Sequence, residues 1–165
     1  MLTQTTELAI RALLVIALEG DEAPWTPKRL AERLTCSETY LGKTLGLLVK
    51  AGVLSSVRGA RGGVRLAQRP ESISLLTLVE ACQGVIVGSY CTQVDDLPGT
   101  CSFHVAMHEV RQALLRTLSK WSLADLIKRP LRCGVEGDGL GTCRMLFVGG
   151  ERFAGTAASH DKVHY

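Results

Sequence analysis

The sequence has little aromatic content, little net charge and no apolar run long enough to cross a bilayer. Aromatic residues make up 5% of its 165 residues, so aliphatic side chains must supply most of the core. The net charge of +3 is too small to indicate a nucleic-acid partner by itself. The apolar segment ALLVIAL is shorter than a membrane span, and no signal-peptide cleavage pattern accompanies it. These absences predict a cytoplasmic protein with no membrane partner.

Motifs of enzymes are also missing. The sequence contains neither a glycine-rich loop of the kind that binds nucleotides nor an arrangement typical of a catalytic triad, which argues against an enzyme. It does contain six cysteines. In a cytoplasmic protein, cysteines are more typical of metal ligands or redox thiols than of structural disulfides. Cys36 and Cys82 fall on apolar helical faces or turns and are predicted to belong to the core.

Capping signals predict two helices joined by a short turn. Thr26-Pro27 starts a helix over residues 28–34, because the hydroxyl caps the helix and proline suits its first position. Ser37 starts a second helix over residues 38–50, and Gly52 ends it in the left-handed conformation. The predicted buried stripe of the second helix is Leu41, Leu45, Leu48 and Val49. Its predicted edge and outer face hold Thr39, Tyr40, Gly42, Lys43, Thr44 and Gly46.

The segment VLSSVRGARGGVRLA at residues 53–67 predicts a β-hairpin, because its glycines permit a tight turn between two aliphatic strands. Two helices followed by an arginine-bearing hairpin are the order of a winged helix-turn-helix, which binds double-stranded DNA. Residues 1–70 contain ten Lys or Arg against six Asp or Glu, and residues 50–69 contain five basic residues and no acid. The predicted DNA contacts are Ser37, Thr39, Tyr40, Lys43, Arg58, Arg61 and Arg65.

A second helical unit is predicted downstream. Ser74 caps a helix over residues 75–82, residues 85–100 form a loop, and a long helix begins near Ser102. Apolar residues recur along it every three or four positions: Phe103, Met107, Val110, Leu114, Leu118 and Trp121. This narrow seam is typical of two helices packed together, and a homodimer would match the two half-sites of a palindromic operator. Packing of the seam inside one monomer is the alternative.

Candidate metal ligands lie where this loop meets the long helix. Cys91, Cys101 and His104 have the spacing C-x9-C-x2-H, and His108 follows one helical turn later. Thiolates and imidazole are ligands that both iron–sulfur clusters and zinc use. Cys101 and His104 lie on one turn, so both side chains can face the same metal.

The pattern predicts three regions of the chain. Residues 1–84 are the winged-helix DNA-binding domain, residues 85–128 the cluster-binding loop and dimerisation helix, and residues 129–165 a glycine-containing tail. In the tail, Cys133 and Cys143 repeat the spacing of Cys91 and Cys101. That repeat is open to three interpretations: a second metal site, a redox pair, or a coincidence in a disordered segment.

Four segments resemble a known family in its own order and spacing. They are LTQTTELAIRALLVIAL, SETYLGKTLGLLVKAGVL, SSVRGARGGVRLA and ESISLLTLVEACQG. Together they resemble the IscR/NsrR (Rrf-two) family of bacterial transcriptional regulators over about residues 2–128. The resemblance implies a winged helix-turn-helix domain, mainly α-helical with a small β-hairpin wing, and a long dimerisation helix. In many members it also implies an iron–sulfur cluster between the two.

The resemblance suggests which residues bind the cluster. Cys91 matches the first family cysteine and Cys101 with His104 matches the last Cys-x-x-His pair, but the middle cysteine is absent, which counts against [4Fe–4S]. The family's carboxylate position corresponds to Glu7, which would reach across the dimer. Two thiolates, one imidazole and one carboxylate favour [2Fe–2S], although zinc accepts the same set. Alternatively, Glu7 interacts with the helix dipole or with Arg11, and His108 is the fourth ligand.

The sequence thus predicts a homodimeric DNA-binding regulator, in particular a repressor, that senses redox state, iron or nitric oxide through a [2Fe–2S] cluster. One alternative is a thiol- or zinc-dependent regulator without a cluster. A more distant alternative is an iron–sulfur electron-transfer or carrier protein, against which the arginine-bearing hairpin argues.

Overall fold

The computed structural model describes residues 2–20, 23–59, 62–86 and 101–128. Within them the fold is mainly α-helical with one antiparallel hairpin, which confirms the predicted fold class. The helices are α1 (Gln4–Glu19), α2 (Pro27–Leu34), α3 (Glu38–Lys50), α4 (Leu75–Gln83), α5 (Ser102–Lys120) and α6 (Leu123–Lys128). The strands are β1 (Leu54–Val57) and β2 (Gly63–Leu66), and a short 3-10 turn covers Pro70–Ser72. In the described part of the chain, no helix is both long and apolar enough to cross a membrane.

Helix α1 lies at the centre of the core. It packs against α2, α3, α4, α6 and β2. Ala9, Ala12 and Leu13 are fully buried, so the small side chains let neighbouring helices approach closely while the leucine fills the space between them. Thr3 caps the helix by accepting a hydrogen bond from the Thr6 amide at 3.2 Å.

Helices α2 and α3 form the predicted pair. Thr26 and Ser37 are their N-caps, and Gly52 follows α3 with a φ of 71°, as predicted for a left-handed residue. One prediction on α3 is wrong: Thr44 is buried rather than at the edge. Its hydroxyl donates to the Tyr40 carbonyl one turn earlier at 3.1 Å, which satisfies the polar atom inside the core.

The hairpin gains a third backbone segment that the sequence did not predict. Strand β1 pairs with β2 from Leu54 opposite Leu66 to Val57 opposite Gly63. Trp25 then exchanges two backbone hydrogen bonds of 2.9 Å with Val64 on the other edge of β2. A Cβ atom on Gly63 would lie 2.6 Å from the Trp25 carbonyl oxygen, so only glycine permits this approach.

The segment between α5 and α6 is hydrogen-bonded to the segment before α4, and α6 packs against the core. Leu75 donates its backbone amide to the Trp121 carbonyl and Leu123 donates to the Ile73 carbonyl, both at 2.8 Å. Leu123 is fully buried, whereas no residue of α5 itself is buried. Trp121 has extended backbone and stands just after α5, so the last residue of the predicted apolar seam lies outside the helix.

The start of α6 predicts a specific pH dependence of stability. The Asp125 carboxylate accepts hydrogen bonds from the Ser122 hydroxyl at 2.7 Å and the Ser122 amide at 3.1 Å, and it pairs with Lys128. The Ser122 hydroxyl, followed by Lys128, lowers the pKa of Asp125 from 3.8 to about 2. Because the pKa is lower in the folded state, this stabilisation is present above the unfolded pKa and is lost as pH falls towards the folded one.

We therefore expect Asp125→Asn to reduce the free energy of unfolding at neutral pH. The difference from the wild type should shrink as pH falls from about 4 to 2, since both proteins then carry a neutral side chain. Urea unfolding at a series of pH values measures this difference. An equal difference at pH 6 and at the lowest accessible pH would contradict the assigned role of the carboxylate.

Candidate nucleic-acid interface and metal site

The outward face of α3 is polar and basic. Thr39, Tyr40 and Lys43 are exposed there, and Leu47 and Lys50 continue the same face towards the end of the helix. Ser37 has a structural role, because its hydroxyl accepts a hydrogen bond from the Tyr40 amide as the N-cap. A face of this composition can present donors to base edges and cations to phosphates.

Two of the three predicted wing arginines, Arg58 and Arg65, lie among the described residues of the β1–β2 hairpin. Arg58 is exposed directly after β1. Arg65 lies on β2 opposite Ser55, and its buried Nε atom has no hydrogen-bond partner among the described residues. Arg61 lies outside the described residues. The hairpin that carries these residues is anchored to the core, since Val53, Leu54 and Val64 are buried.

Arg29 is a further cation close to the wing that the sequence did not predict as a DNA contact. The Arg29 guanidinium lies 3.9 Å from the centre of the Trp25 ring, an arrangement that orients an exposed arginine. Trp25 is itself buried by its pairing with Val64. In the sequence, Trp25 stands four residues before Arg29. Because Trp25 precedes α2 rather than belonging to it, this spacing alone does not predict that the two side chains are in contact. The contact depends on the pairing of Trp25 with Val64.

The first turn of α1 is hydrogen-bonded to two other helices. The Gln83 side-chain oxygen, at the end of α4, accepts from the Thr3 amide at 3.3 Å and from the Thr6 hydroxyl at 3.2 Å. The Thr5 hydroxyl lies 2.7 Å from the Tyr40 hydroxyl of α3. This turn therefore connects the end of α4, where the 85–100 segment begins, to the outward face of α3.

Two of the predicted metal ligands lie together. Cys101 precedes α5 as its N-cap residue, and its Sγ atom lies 3.0 Å from His104 Nδ1. Both residues face outward from the core, with Cys101 exposed and His104 half-buried. A thiolate and an imidazole at this separation fit two positions of either an iron–sulfur cluster or a zinc site.

Among the described residues, no further predicted ligand joins this pair within one protomer. In the part of the chain that the structure describes, no three His, Cys, Asp or Glu side chains cluster closely enough to hold a metal. Cys91 lies outside the described residues, as do Cys133 and Cys143. Glu7 is half-buried on the first turn of α1, and its alternative partner Arg11 donates instead to the Leu34 carbonyl at 3.3 Å.

Cys36 and Cys82 pack against the edge of the core as half-buried thiols. Burial raises the pKa of the Cys36 thiol, and the nearby Arg11 guanidinium offsets this only in part. Burial likewise raises the pKa of Cys82 despite its hydrogen bond with Thr6. Because metals bind and oxidants attack the thiolate form, these two cysteines are poorly suited to either role at neutral pH.

The N-terminal part of the apolar seam of α5 is exposed in the single chain, whereas Leu114 and Leu118 further along are half-buried. Phe103 is 66% exposed, Val110 is 48% exposed and Met107 is 37% exposed. His108 is half-buried, and its Nδ1 atom has no hydrogen-bond partner among the described residues. A row of large apolar side chains with this exposure is typical of an interaction surface.

The helix pair, the hairpin wing and the basic outward face define a winged helix-turn-helix, the fold of DNA-binding transcription regulators. The chain matches the model of the Rrf2 family, described as iron-dependent transcriptional regulators, over residues 2–129. It therefore belongs to the Rrf2 (Rrf-two) family, as its motifs predicted, and is a transcriptional regulator. It is 34% identical to the regulator NsrR of Geobacillus kaustophilus, over 77% of this chain and 89% of that protein.

Solved structures agree with this assignment of the fold. The structure of IscR from T. potens has a TM-score of 0.60 and 28% identity, covering 78% of this chain and 86% of that one. The structure of CymR, described as the global cysteine regulator of B. subtilis, has a TM-score of 0.62 and 24% identity. It covers 78% of this chain and 96% of the CymR chain.

Two glycines of α3 yield a test of which face meets DNA. Cβ atoms on Gly42 or Gly46 would meet open space, so nothing inside the protomer requires glycine there. Alanine should raise the free energy of unfolding by about 1 kcal/mol at either position, since glycine is a poor helix former. Gly46 lies on the outward face with Lys43 and Lys50, whereas Gly42 is half-buried at its edge.

We therefore expect Gly46→Ala to stabilise the protein and weaken DNA binding, because a new methyl group would stand between the helix and the groove. Gly42→Ala is the matched control and should stabilise the protein without this loss of affinity. Chemical denaturation and fluorescence anisotropy on one duplex measure the two quantities. Unchanged affinity of Gly46→Ala would show that this face does not meet DNA.

Proposed function

We propose that the protein is a cytoplasmic, homodimeric regulator, most simply a repressor, whose affinity for a palindromic operator depends on a [2Fe–2S] cluster. The observation that carries this proposal is that the first turn of α1 is hydrogen-bonded both to the end of α4 and to the outward face of α3. The Cys101–His104 pair stands at the start of α5, and α5 packs against α4. The protein has no catalytic role in this proposal.

The proposed DNA interface uses α3 and the wing. Thr39, Tyr40 and Lys43 would meet base edges or phosphates in the major groove, and Arg58, Arg61 and Arg65 would bind the backbone or the minor groove. Exposure of the α3 side chains supports this assignment. Ser37 would contribute chiefly by capping α3, because its hydroxyl is already engaged.

The proposed dimer forms along α5. Its apolar face is exposed at Phe103, Met107 and Val110 in the single chain, and no residue of this 19-residue helix is fully buried. Pairing with the same helix of a second copy would bury this face around a two-fold axis. The same axis would present two α3 helices to two half-sites of the operator.

In the proposed metal site, Cys101, His104 and Cys91 of one chain would act with Glu7 of the second chain. The thiolate–imidazole pair supports this donor set, and the family description as iron-dependent agrees with it. A bound [2Fe–2S] cluster would supply a reversible one-electron redox couple. These residues would hold it between the start of α5 of one chain and the first turn of α1 of the second chain.

A thiol- or zinc-dependent regulator is the second candidate. Among the described residues, Cys101 and His104 lie together but no third metal-binding side chain joins them, and zinc accepts both a thiolate and an imidazole. The fold shared with CymR, described as a cysteine regulator, is compatible with this alternative. Metal analysis separates the two candidates.

The wing assignment predicts a change in salt dependence. Arg58→Ala and Arg61→Ala should each weaken DNA binding and lower the slope of log K against log salt by about 1, because each removes one phosphate contact. Arg116→Ala, which removes an exposed arginine of α5, is the control and should leave the slope unchanged. If both wing variants keep the wild-type slope, the wing does not neutralise phosphates.

The cluster assignment predicts the colour and composition of protein purified without oxygen. We expect visible absorption with about two iron and two sulfide per chain. Cys101→Ser and His104→Ala should lose or shift this absorption, whereas Cys36→Ser should retain it because Cys36 packs against the core. A colourless protein that cannot be reconstituted with iron would rule out the cluster, and bound zinc would then favour the second candidate.

A further inference from the structure

The hydroxyl pair of Thr5 and Tyr40 joins α1 to the DNA-facing side of α3. The two oxygens are 2.7 Å apart, although the residues are 35 positions apart in sequence. Tyr40 is 39% exposed, so its ring lies at the surface rather than in the core. A tyrosine in this position would otherwise choose among several side-chain orientations, and the Thr5 hydroxyl selects one of them.

The partner of Tyr40 belongs to a turn that is itself fixed. Thr3 and Thr6 are bound to Gln83, and Thr6 is fully buried. Thr5 therefore occupies a rigid position and does not simply follow Tyr40. Glu7 belongs to the same turn, but residues two apart point in different directions along a helix. The Thr5 side chain therefore faces α3, whereas the Glu7 side chain of the same turn points in a different direction.

From this geometry we propose that Thr5 is a positioning residue for DNA binding that acts through Tyr40. By holding the tyrosine hydroxyl, Thr5 orders the ring before DNA arrives, which removes part of the entropy cost of binding. Because Thr5 moves with the first turn of α1, any displacement of that turn alters the hydroxyl pair. DNA affinity thereby depends on the position of the turn that carries Glu7; this regulatory part rests on the function proposed above.

A double-mutant cycle on DNA affinity tests the positioning role. The variants are Thr5→Val, Tyr40→Phe and the double variant, which remove hydroxyl groups while nearly preserving shape. The probe is a duplex selected by the wild-type protein from a randomised pool. We expect each single variant to lose about 2- to 10-fold in affinity, the range for one hydrogen bond. The double variant should lose no more than a single one, and the salt slope should stay unchanged.

Two results would overturn the positioning role. If Tyr40→Phe loses affinity while Thr5→Val does not, the tyrosine hydroxyl acts on DNA without Thr5. If the two losses multiply in the double variant, the residues act independently. Ser72→Ala removes an exposed hydroxyl before α4 and is the matched control, with wild-type affinity expected. Thermal unfolding of every variant identifies any loss of affinity that comes from unfolding.

The regulatory part is tested with the same variants in two states of the protein. DNA affinity is measured with protein purified without oxygen and again after removal of its iron by a chelator. We expect the ratio of the two affinities to move towards one in Thr5→Val and Tyr40→Phe, with iron and sulfide content unchanged. A wild-type ratio in both variants would overturn the regulatory part. If removal of iron leaves the DNA affinity of the wild-type protein unchanged, the proposed sensing function is refuted. The double-mutant cycle would still decide the positioning role.

Discussion

Helix α1 is buried against neighbouring elements on almost every side, and the other elements pack around it. The helix contacts α2, α3, α4, α6 and β2, and its alanines allow all of them to approach one axis. A tightly packed helix moves as a unit rather than bending locally. A displacement of its first turn would therefore reach α3 and α4, and this is the physical basis for coupling the proposed metal site to the proposed DNA-binding face.

Helix α3 combines features that lower its own stability with features that suit DNA. Two glycines without an internal packing role weaken the helix, and a tyrosine, a leucine and lysines lie on its surface. Residues that lower the stability of their own element are expected at functional sites, where binding rather than stability determines the side chain. In the wing, by contrast, glycine has a structural role, because the close approach of Trp25 leaves no room for a side chain at Gly63.

Much of the DNA-binding half could be predicted from sequence, because caps and turns are local signals. Ser37 and Gly52 set the ends of α3, and the glycines between the strands set the hairpin. Contacts between distant segments could not be predicted in this way. The pairing of Trp25 with Val64 and the Thr5–Tyr40 hydroxyl pair depend on how the helices pack, and the burial of Thr44 depends on a backbone acceptor one turn away. The ligand set, Cys101 and His104 included, remains a prediction.

In the proposed function, the state of the metal site reaches α3 through α1. Amide hydrogen exchange, measured without DNA on protein with and without its iron, tests this most directly. We expect altered protection in the first turns of both α1 and α3, with the far end of α3 unchanged. Protection confined to the loop and the start of α5 would contradict it, because the sensor would then be uncoupled from the DNA-binding face.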